Sequence, residues 1–94
     1  MRVVWSLPAR ADLFGIAEWY EAVDPVLAET ILDRIEAAAT PLLATPSIGA
    51  PVSGVGRRKW RVKQTPFLLI YRPEPSQIRI LRVRHVRQDW RREP

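Results

Sequence analysis

The sequence contains no cysteine and only one histidine, which leaves it without disulfides and without the usual ligands of structural zinc. We therefore predict no metal site and no cofactor. A long apolar run is also missing, since no stretch approaches the roughly 20 residues of a membrane-spanning helix. The opening MRVVWSLPARAD carries an acid and a proline where an export signal needs an apolar run, so we expect a cytoplasmic protein with no membrane partner.

Acidic residues are scarce in the second half of the chain. Residues 57–94 carry twelve basic residues against three acids, whereas residues 1–56 carry three basic residues against seven acids. Such an asymmetry indicates that one half of the molecule meets an anion and the other does not. Nucleic acid and an acidic protein segment both fit, and composition does not choose between them.

The first half of the chain predicts a strand followed by two helices. Met1–Trp5 is rich in β-branched and aromatic residues, as in a strand. Ser6 is then a good N-cap for a helix over Pro8–Ala22, in which the apolar positions recur at helical spacing. The acids of this helix are predicted to lie in solvent; they are Asp12, Glu18 and Glu21.

A second helix begins at Asp24 and Pro25, a cap and a first-turn proline, and should pack against the first as an antiparallel hairpin. Its apolar stripe is formed by Leu27, Ile31, Ile35, Ala38 and Leu42.

Proline and glycine then exclude regular structure from residues 44–56, which we interpret as a loop. Three strands are predicted beyond it, over Arg57–Lys63, Phe67–Tyr71 and Ile78–Val86. Their short connections make them an antiparallel meander. The predicted fold is a single α+β domain over residues 1–94, with an N-terminal strand, an α-helical hairpin and a three-stranded antiparallel meander that forms one sheet packed by the helices.

The basic strands are the best candidates for a site. In the first of them, alternation places Arg57, Lys59, Arg61 and Lys63 on one face. If the strands are neighbours, Arg82, Arg84 and Arg87 extend this surface, which could hold phosphates or carboxylates. The alternative is a cationic face without a ligand, and a register slip of one residue would turn Arg82 and Arg84 away.

The single histidine and the late tryptophan allow two interpretations each. His85 is a candidate general acid or base, or a structural histidine bonded to Asp89 or a backbone carbonyl. Trp90 either covers the edge of the core or anchors a partner.

Three stretches resemble toxins of the RelE/ParE superfamily. They are VVWSLPARADLFGIAEWY, GRRKWRVKQTPFLLIYR and ILRVRHVRQDW. The resemblance implies the toxin of a type II toxin–antitoxin pair, held in a hetero-oligomer by a cognate antitoxin whose acidic C-terminal segment would suit the basic half of the chain.

The superfamily divides into RelE-like toxins, which cut mRNA on the ribosome, and ParE-like toxins, which poison DNA gyrase. Trp90 stands where a RelE-like chain has a late tyrosine, Phe67 replaces another tyrosine, and the ending His-x-Arg-x-Asp-Trp fits the ParE-like branch better. We therefore expect a gyrase inhibitor that is not an enzyme. Its expected contacts with target or antitoxin are Arg57, Lys59, Arg61, Arg82, Arg84, His85, Arg87, Asp89 and Trp90.

Two alternatives remain. One is a ribosome-dependent endoribonuclease that acts on mRNA with Arg57, Lys59, Arg82 and His85. The other is an inactive remnant that only binds an antitoxin.

Overall fold

The computed structural model describes residues 1–87 and confirms the α+β arrangement. Over residues 1–85, three helices and five strands follow one another. In order they are β1 (Arg2–Trp5), α1 (Leu7–Val23), α2 (Pro25–Ala38), α3 (Thr40–Ala44), β2 (Ala50–Pro51), β3 (Arg58–Arg61), β4 (Phe67–Glu74) and β5 (Gln77–His85). The five strands form one sheet in the order β1-β5-β4-β3-β2. Within residues 1–87, no helix is both long enough and apolar enough to cross a membrane.

The two long helices begin where the sequence predicts. The hydroxyl of Ser6 accepts a hydrogen bond from the backbone N–H of Ala9 at 3.1 Å, which satisfies one open donor of α1. The carboxylate of Asp24 does the same for α2, where it accepts from the N–H groups of Val26 and Leu27. A single residue, Asp24, therefore both ends α1 and caps α2, and the helices pack as a hairpin.

The apolar stripe of the second helix differs from the prediction at both ends. Leu27 is 38% exposed, and Leu42 belongs to the separate short helix α3 although it is fully buried. Pro41 explains the break, because proline has no N–H to donate to the carbonyl of Ala37 and its ring clashes with that carbonyl.

The predicted loop of residues 44–56 contains a short edge strand. In β2, Ala50 lies opposite Lys59 of β3 and Pro51 lies opposite Arg58. Proline is tolerated here because an edge strand leaves one side of its backbone unpaired. Regular structure was therefore wrongly excluded from this segment.

The meander is confirmed and gains a parallel neighbour. Strand β4 lies between β3 and β5, and both pairings are antiparallel. On the far side of β5 lies β1, parallel to it, with Arg2 opposite Gln77 and Trp5 opposite Ile80. The long connection that a parallel pair requires runs through the helices and the other three strands.

A β-bulge interrupts the pairing of β4 with β5. Tyr71 lies opposite Ile80, but the residue before it in β4, Ile70, lies opposite Arg82, so Leu81 is an additional residue in β5. The bulge shifts the alternation of side chains by one position. As a result Ile80 and Val83 both enter the core, at 0% and 5% exposure.

The core lies between the helical hairpin and one face of the sheet. The predicted central strand is confirmed, since Phe67–Tyr71 is buried throughout. The helices contribute buried or half-buried side chains from the predicted stripes. Members of this core include Leu13, Ile16, Tyr20, Ile31, Ile35, Leu69, Tyr71, Ile78, Ile80 and Val83.

Tyr71 ties the loop before β2 to this core. Its hydroxyl donates to the carbonyl of Pro46 at 2.7 Å and accepts from the N–H of Gly49 at 2.9 Å. Position 49 has no room for a side chain, because a Cβ there would lie 2.5 Å from the carbonyl oxygen of Lys59. Only glycine permits this approach of the loop to the sheet.

Replacing Tyr71 with phenylalanine should lower the free energy of unfolding by about 1–3 kcal/mol, because both hydrogen bonds are lost and the N–H of Gly49 is left buried without a partner. Urea denaturation measures the change. Tyr20→Phe is the matched control, since the Tyr20 hydroxyl makes no hydrogen bond within residues 1–87 and its removal should cost less than about 0.5 kcal/mol. Equal losses in the two variants would contradict the assigned role of the Tyr71 hydroxyl.

Candidate anion-binding face of the sheet

Strand register places six cations on the face of the sheet opposite the helical hairpin. Cross-strand partners share a face, so the residues opposite Leu68, Ile70 and Arg72 lie on the side away from the core residues Leu69 and Tyr71. We call this the cationic face and define it as Lys59, Arg61, Arg72, Arg79, Arg82 and Arg84.

Two rows of side chains cross this face at right angles to the strands. In one row Leu68 lies between Arg61 and Arg84, and in the next Ile70 lies between Lys59 and Arg82. Leu68 and Ile70 are 6% and 2% exposed although they face away from the helices. Long basic side chains can cover apolar neighbours with their stems while their charged ends stay in water. The face therefore has an apolar floor between two cationic borders.

At one end of the cationic face two arginines share one carboxylate. Glu74 lies 3.4 Å from the guanidinium of Arg72 and 3.2 Å from that of Arg79, and it also accepts a hydrogen bond from Gln77 at 2.7 Å. The bond from Gln77 is the largest of the effects that hold the pKa of Glu74 below its ordinary value of 4.5, and the bonds and charge of the arginines add to it.

Arg82 forms an ion pair with Asp12 of α1. The guanidinium makes two hydrogen bonds to the carboxylate, Nε to Oδ2 at 2.8 Å and Nη2 to Oδ1 at 2.9 Å. Such bidentate pairs are among the stronger polar contacts in proteins. Bonding to Asp12 raises the pKa of Arg82 above its ordinary value, against the opposing effect of partial burial. The side chain of Asp12 is 15% exposed, so its predicted position in solvent was wrong.

Arg84 has no such partner. Its Nε is buried and makes no hydrogen bond, and no ion pair involves this residue among residues 1–87. A buried donor without an acceptor is unfavourable. Arg61, in the same row, is exposed, and its one hydrogen bond to residues 1–87 goes to the backbone carbonyl of Thr65.

Arg57 lies just before β3 and packs its stem against Gly54, where a Cβ would come within 2.4 Å of Arg57 Cδ. Gly54 has φ 105°, a conformation that glycine adopts readily. The Nε of Arg57 is buried without a partner, like that of Arg84. Lys63 lies in the turn after β3, since that strand ends at Arg61.

His85 lies on the other face of the sheet. It lies opposite Phe67 in the sheet, and the two rings meet edge to face with their centroids 5.7 Å apart. Its Nδ1 accepts a hydrogen bond from the N–H of Arg87 at 3.1 Å. It lines a cleft of about 510 Å³ between α1 and the sheet, with Trp19 and Tyr20. The alternative catalytic set is therefore divided, because Lys59 and Arg82 border Ile70 on the cationic face. Arg87 is exposed, and Asp89 and Trp90 lie outside the described residues.

Among residues 1–87, no three of the residue types histidine, cysteine, aspartate and glutamate form a cluster that could hold a metal ion.

Comparison with known proteins identifies the family. The family model described as the ParE toxin of the type II toxin–antitoxin system parDE matches residues 3–90. The chain belongs to the ParE toxin family. The protein is therefore the toxin of a type II pair, and its family partner is a cognate antitoxin.

Two solved structures resemble this ParE toxin. A chain of the chromosomal ParDE toxin–antitoxin system from P. aeruginosa is 28% identical with a TM-score of 0.81, over 90% of this toxin and 95% of that chain. The YoeB/ParE toxin from Agrobacterium tumefaciens is 20% identical with a TM-score of 0.64, over 90% of this toxin and 98% of that chain. The second likeness concerns the fold alone. A comparison with curated protein sequences found no match.

Sequence reasoning missed the acids that organise the face of this ParE toxin. Asp12 and Glu74 decide which arginines are neutralised, and neither was a candidate. A signal for Asp12 was present, because Ile16 lies four residues later and shares its side of the helix. Arg58 was also missed; it faces the core side and donates to the carbonyls of Ser47 and Gly49.

Replacing Glu74 with glutamine should lower the melting temperature at neutral pH, and the difference from the unaltered toxin should shrink in acid. A carboxylate whose folded pKa is lowered contributes stability above its ordinary pKa of 4.5 and loses it as the pH falls through the lowered value. Thermal unfolding followed by circular dichroism from pH 7 to pH 2 measures this. Glu21→Gln, at an exposed carboxylate of α1, is the control. A Glu74→Gln deficit that persists unchanged at the acid end would contradict the assignment.

Proposed function

We propose that this toxin inhibits DNA gyrase and that it binds its target with the cationic face. The family match over residues 3–90 carries the proposal. The row of Arg61, Leu68 and Arg84 supports the mode of binding, since it offers guanidinium groups without acidic partners in residues 1–87 beside a buried leucine. The proposal places the toxin in the cytoplasm, where gyrase acts on DNA.

The antitoxin is proposed to cover the same face. An acidic peptide segment complements it by charge, and the apolar floor of Leu68 and Ile70 lies between the cations that would hold the carboxylates. Binding in a hetero-oligomer would then block the target surface directly. Inhibition would be relieved by competition for one surface, without any conformational change of the toxin.

A nuclease mechanism receives less support from the geometry. General acid–base cleavage of RNA requires the acid or base and the phosphate-binding cations to meet at one phosphodiester. His85 shares a face with Phe67, whereas Lys59 and Arg82 flank Ile70 on the other side of the sheet. Arg82 is also held by Asp12.

A supercoiling assay with purified gyrase tests the proposal. The unaltered toxin should stop supercoiling and accumulate cleaved DNA. Arg84→Ala should raise the half-inhibiting concentration by about 10- to 100-fold, the effect expected when a hydrogen bond to a charged group is lost. Arg84→Lys should recover only part of the activity, because an ammonium group cannot make the bidentate contact.

Arg10→Ala is the matched control, because Arg10 is an exposed arginine of α1 on the hairpin side of the molecule. Its half-inhibiting concentration should stay within about threefold of the unaltered value. Supercoiling that continues at toxin excess would overturn the gyrase proposal. Cleavage of mRNA in a translation extract would favour the nuclease instead. Normal growth of cells that express the toxin without an antitoxin would favour the inactive remnant.

A further inference from the structure

The bulge in β5 decides which side chains reach the cationic face. A regular strand that buried Ile78 and Ile80 would also turn Arg82 and Arg84 toward the helices, because side chains alternate with a period of two. The additional residue, Leu81, shifts this alternation, so that Val83 is buried and Arg84 is placed opposite Leu68 on the cationic face. The orientation of Arg84 therefore depends on where the bulge lies.

Four consecutive residues of the bulged segment are bonded to one short stretch of the chain, residues 6–12. The N–H of Ser6 donates to the carbonyl of Ile80 at 2.9 Å, and the hydroxyl of Ser6 donates to the carbonyl of Leu81 at 2.9 Å. Oδ2 of Asp12 accepts from the N–H of Val83 at 2.9 Å, and the same carboxylate holds the guanidinium of Arg82.

These contacts take the place of the strand pairing that β1 does not continue beyond Trp5. Strand β1 pairs with β5 only as far as Trp5 opposite Ile80, and the bulge begins at the next residue. A bulge leaves ladder groups without their usual partners. Ser6 supplies two donors and Asp12 supplies an acceptor at these positions. Both residues therefore favour a bulge at Leu81 over one elsewhere in β5.

We propose that Ser6 and Asp12 are positioning residues of the toxin, which hold the β5 bulge at Leu81 and thereby present Arg84 on the cationic face. The role is separate from the capping of α1, which Ser6 also performs. The inference rests on the proposed function, because it gives Arg84 a target to bind. Its structural part, the register of β4 against β5, is measurable without any target.

Matched pairs of variants separate positioning from general stability. Asp12→Ala removes the acceptor for the N–H of Val83, whereas Asp12→Asn retains an oxygen at that position and loses the charge. Ser6→Ala removes both the bond to the carbonyl of Leu81 and the cap of α1, whereas Ser6→Thr retains a hydroxyl for both, so the Asp12 pair, which leaves the cap intact, separates the two roles. Glu18→Gln, an exposed carboxylate of the same helix, is the control.

Two readouts are taken on each purified variant. Nuclear magnetic resonance gives the cross-strand contacts Leu69–Val83 and Tyr71–Ile80 and the hydrogen exchange of the Val83 amide. The supercoiling assay gives the half-inhibiting concentration. In the alanine variants we expect faster exchange at Val83, weakened cross-strand contacts beyond Ile80, and inhibition weakened by about tenfold, near the loss expected for a charged hydrogen bond. The asparagine and threonine variants should recover most of both.

Unchanged register and exchange in both alanine variants would overturn the inference while leaving the gyrase proposal intact. Full inhibition by Asp12→Ala despite loss of the Leu69–Val83 contact would overturn it as well, because Arg84 would then act without the bulge. If Asp12→Ala does not fold, the Ser6 pair decides by the same measurements. If the unaltered toxin fails to inhibit gyrase, the function proposal falls and the resonance data still decide the register.

Discussion

A carboxylate that is mostly hidden from water requires donors, and in this toxin that requirement joins the first helix to the last strand. Asp12 meets it with the guanidinium of Arg82 and the backbone N–H of Val83. Removing one member of such a group leaves a poorly solvated charge, which costs more than the pair itself contributes. The contact joins α1 to β5 at the bulge, beside the apolar core that packs the hairpin on the sheet.

Internal pairing determines how the positive charge is distributed over the sheet. Glu74 forms ion pairs with Arg72 and Arg79 at one end of the cationic face, and Asp12 forms one with Arg82. Within residues 1–87, the arginines of this face that have no acidic partner are Arg61 and Arg84, on either side of Leu68. A high net charge alone would attract any anion. Pairing of some arginines with acids instead concentrates the attraction on a small part of the face, beside the buried side chain of Leu68.

Much of the fold was predictable because its signals are local. The Ser6 and Asp24 caps and the apolar run of Phe67–Tyr71 each specify structure within a few residues. The partner of β1 was not predictable, because pairing over more than 70 residues has no local signature. The bulge did leave a signal in the sequence. Ile78 and Ile80 stand at even positions and Leu81 and Val83 at odd positions, and a regular strand cannot turn both pairs to the same face of the sheet. The candidate list likewise could not separate Arg82 from Arg84, since only tertiary contact with Asp12 distinguishes them.

The pairing of β1 with β5 also has a consequence for the order in which the molecule is assembled. During synthesis, the N-terminal strand emerges first but finds its neighbour only when residues 77–80 have emerged. The hairpin made in the meantime is acidic, and the cationic face does not exist until β5 joins the meander. Contacts of such long sequence separation slow folding, because the loop must close before they form. The cationic face is therefore the last part of the sheet to be completed, after the helical hairpin and the first strands of the meander.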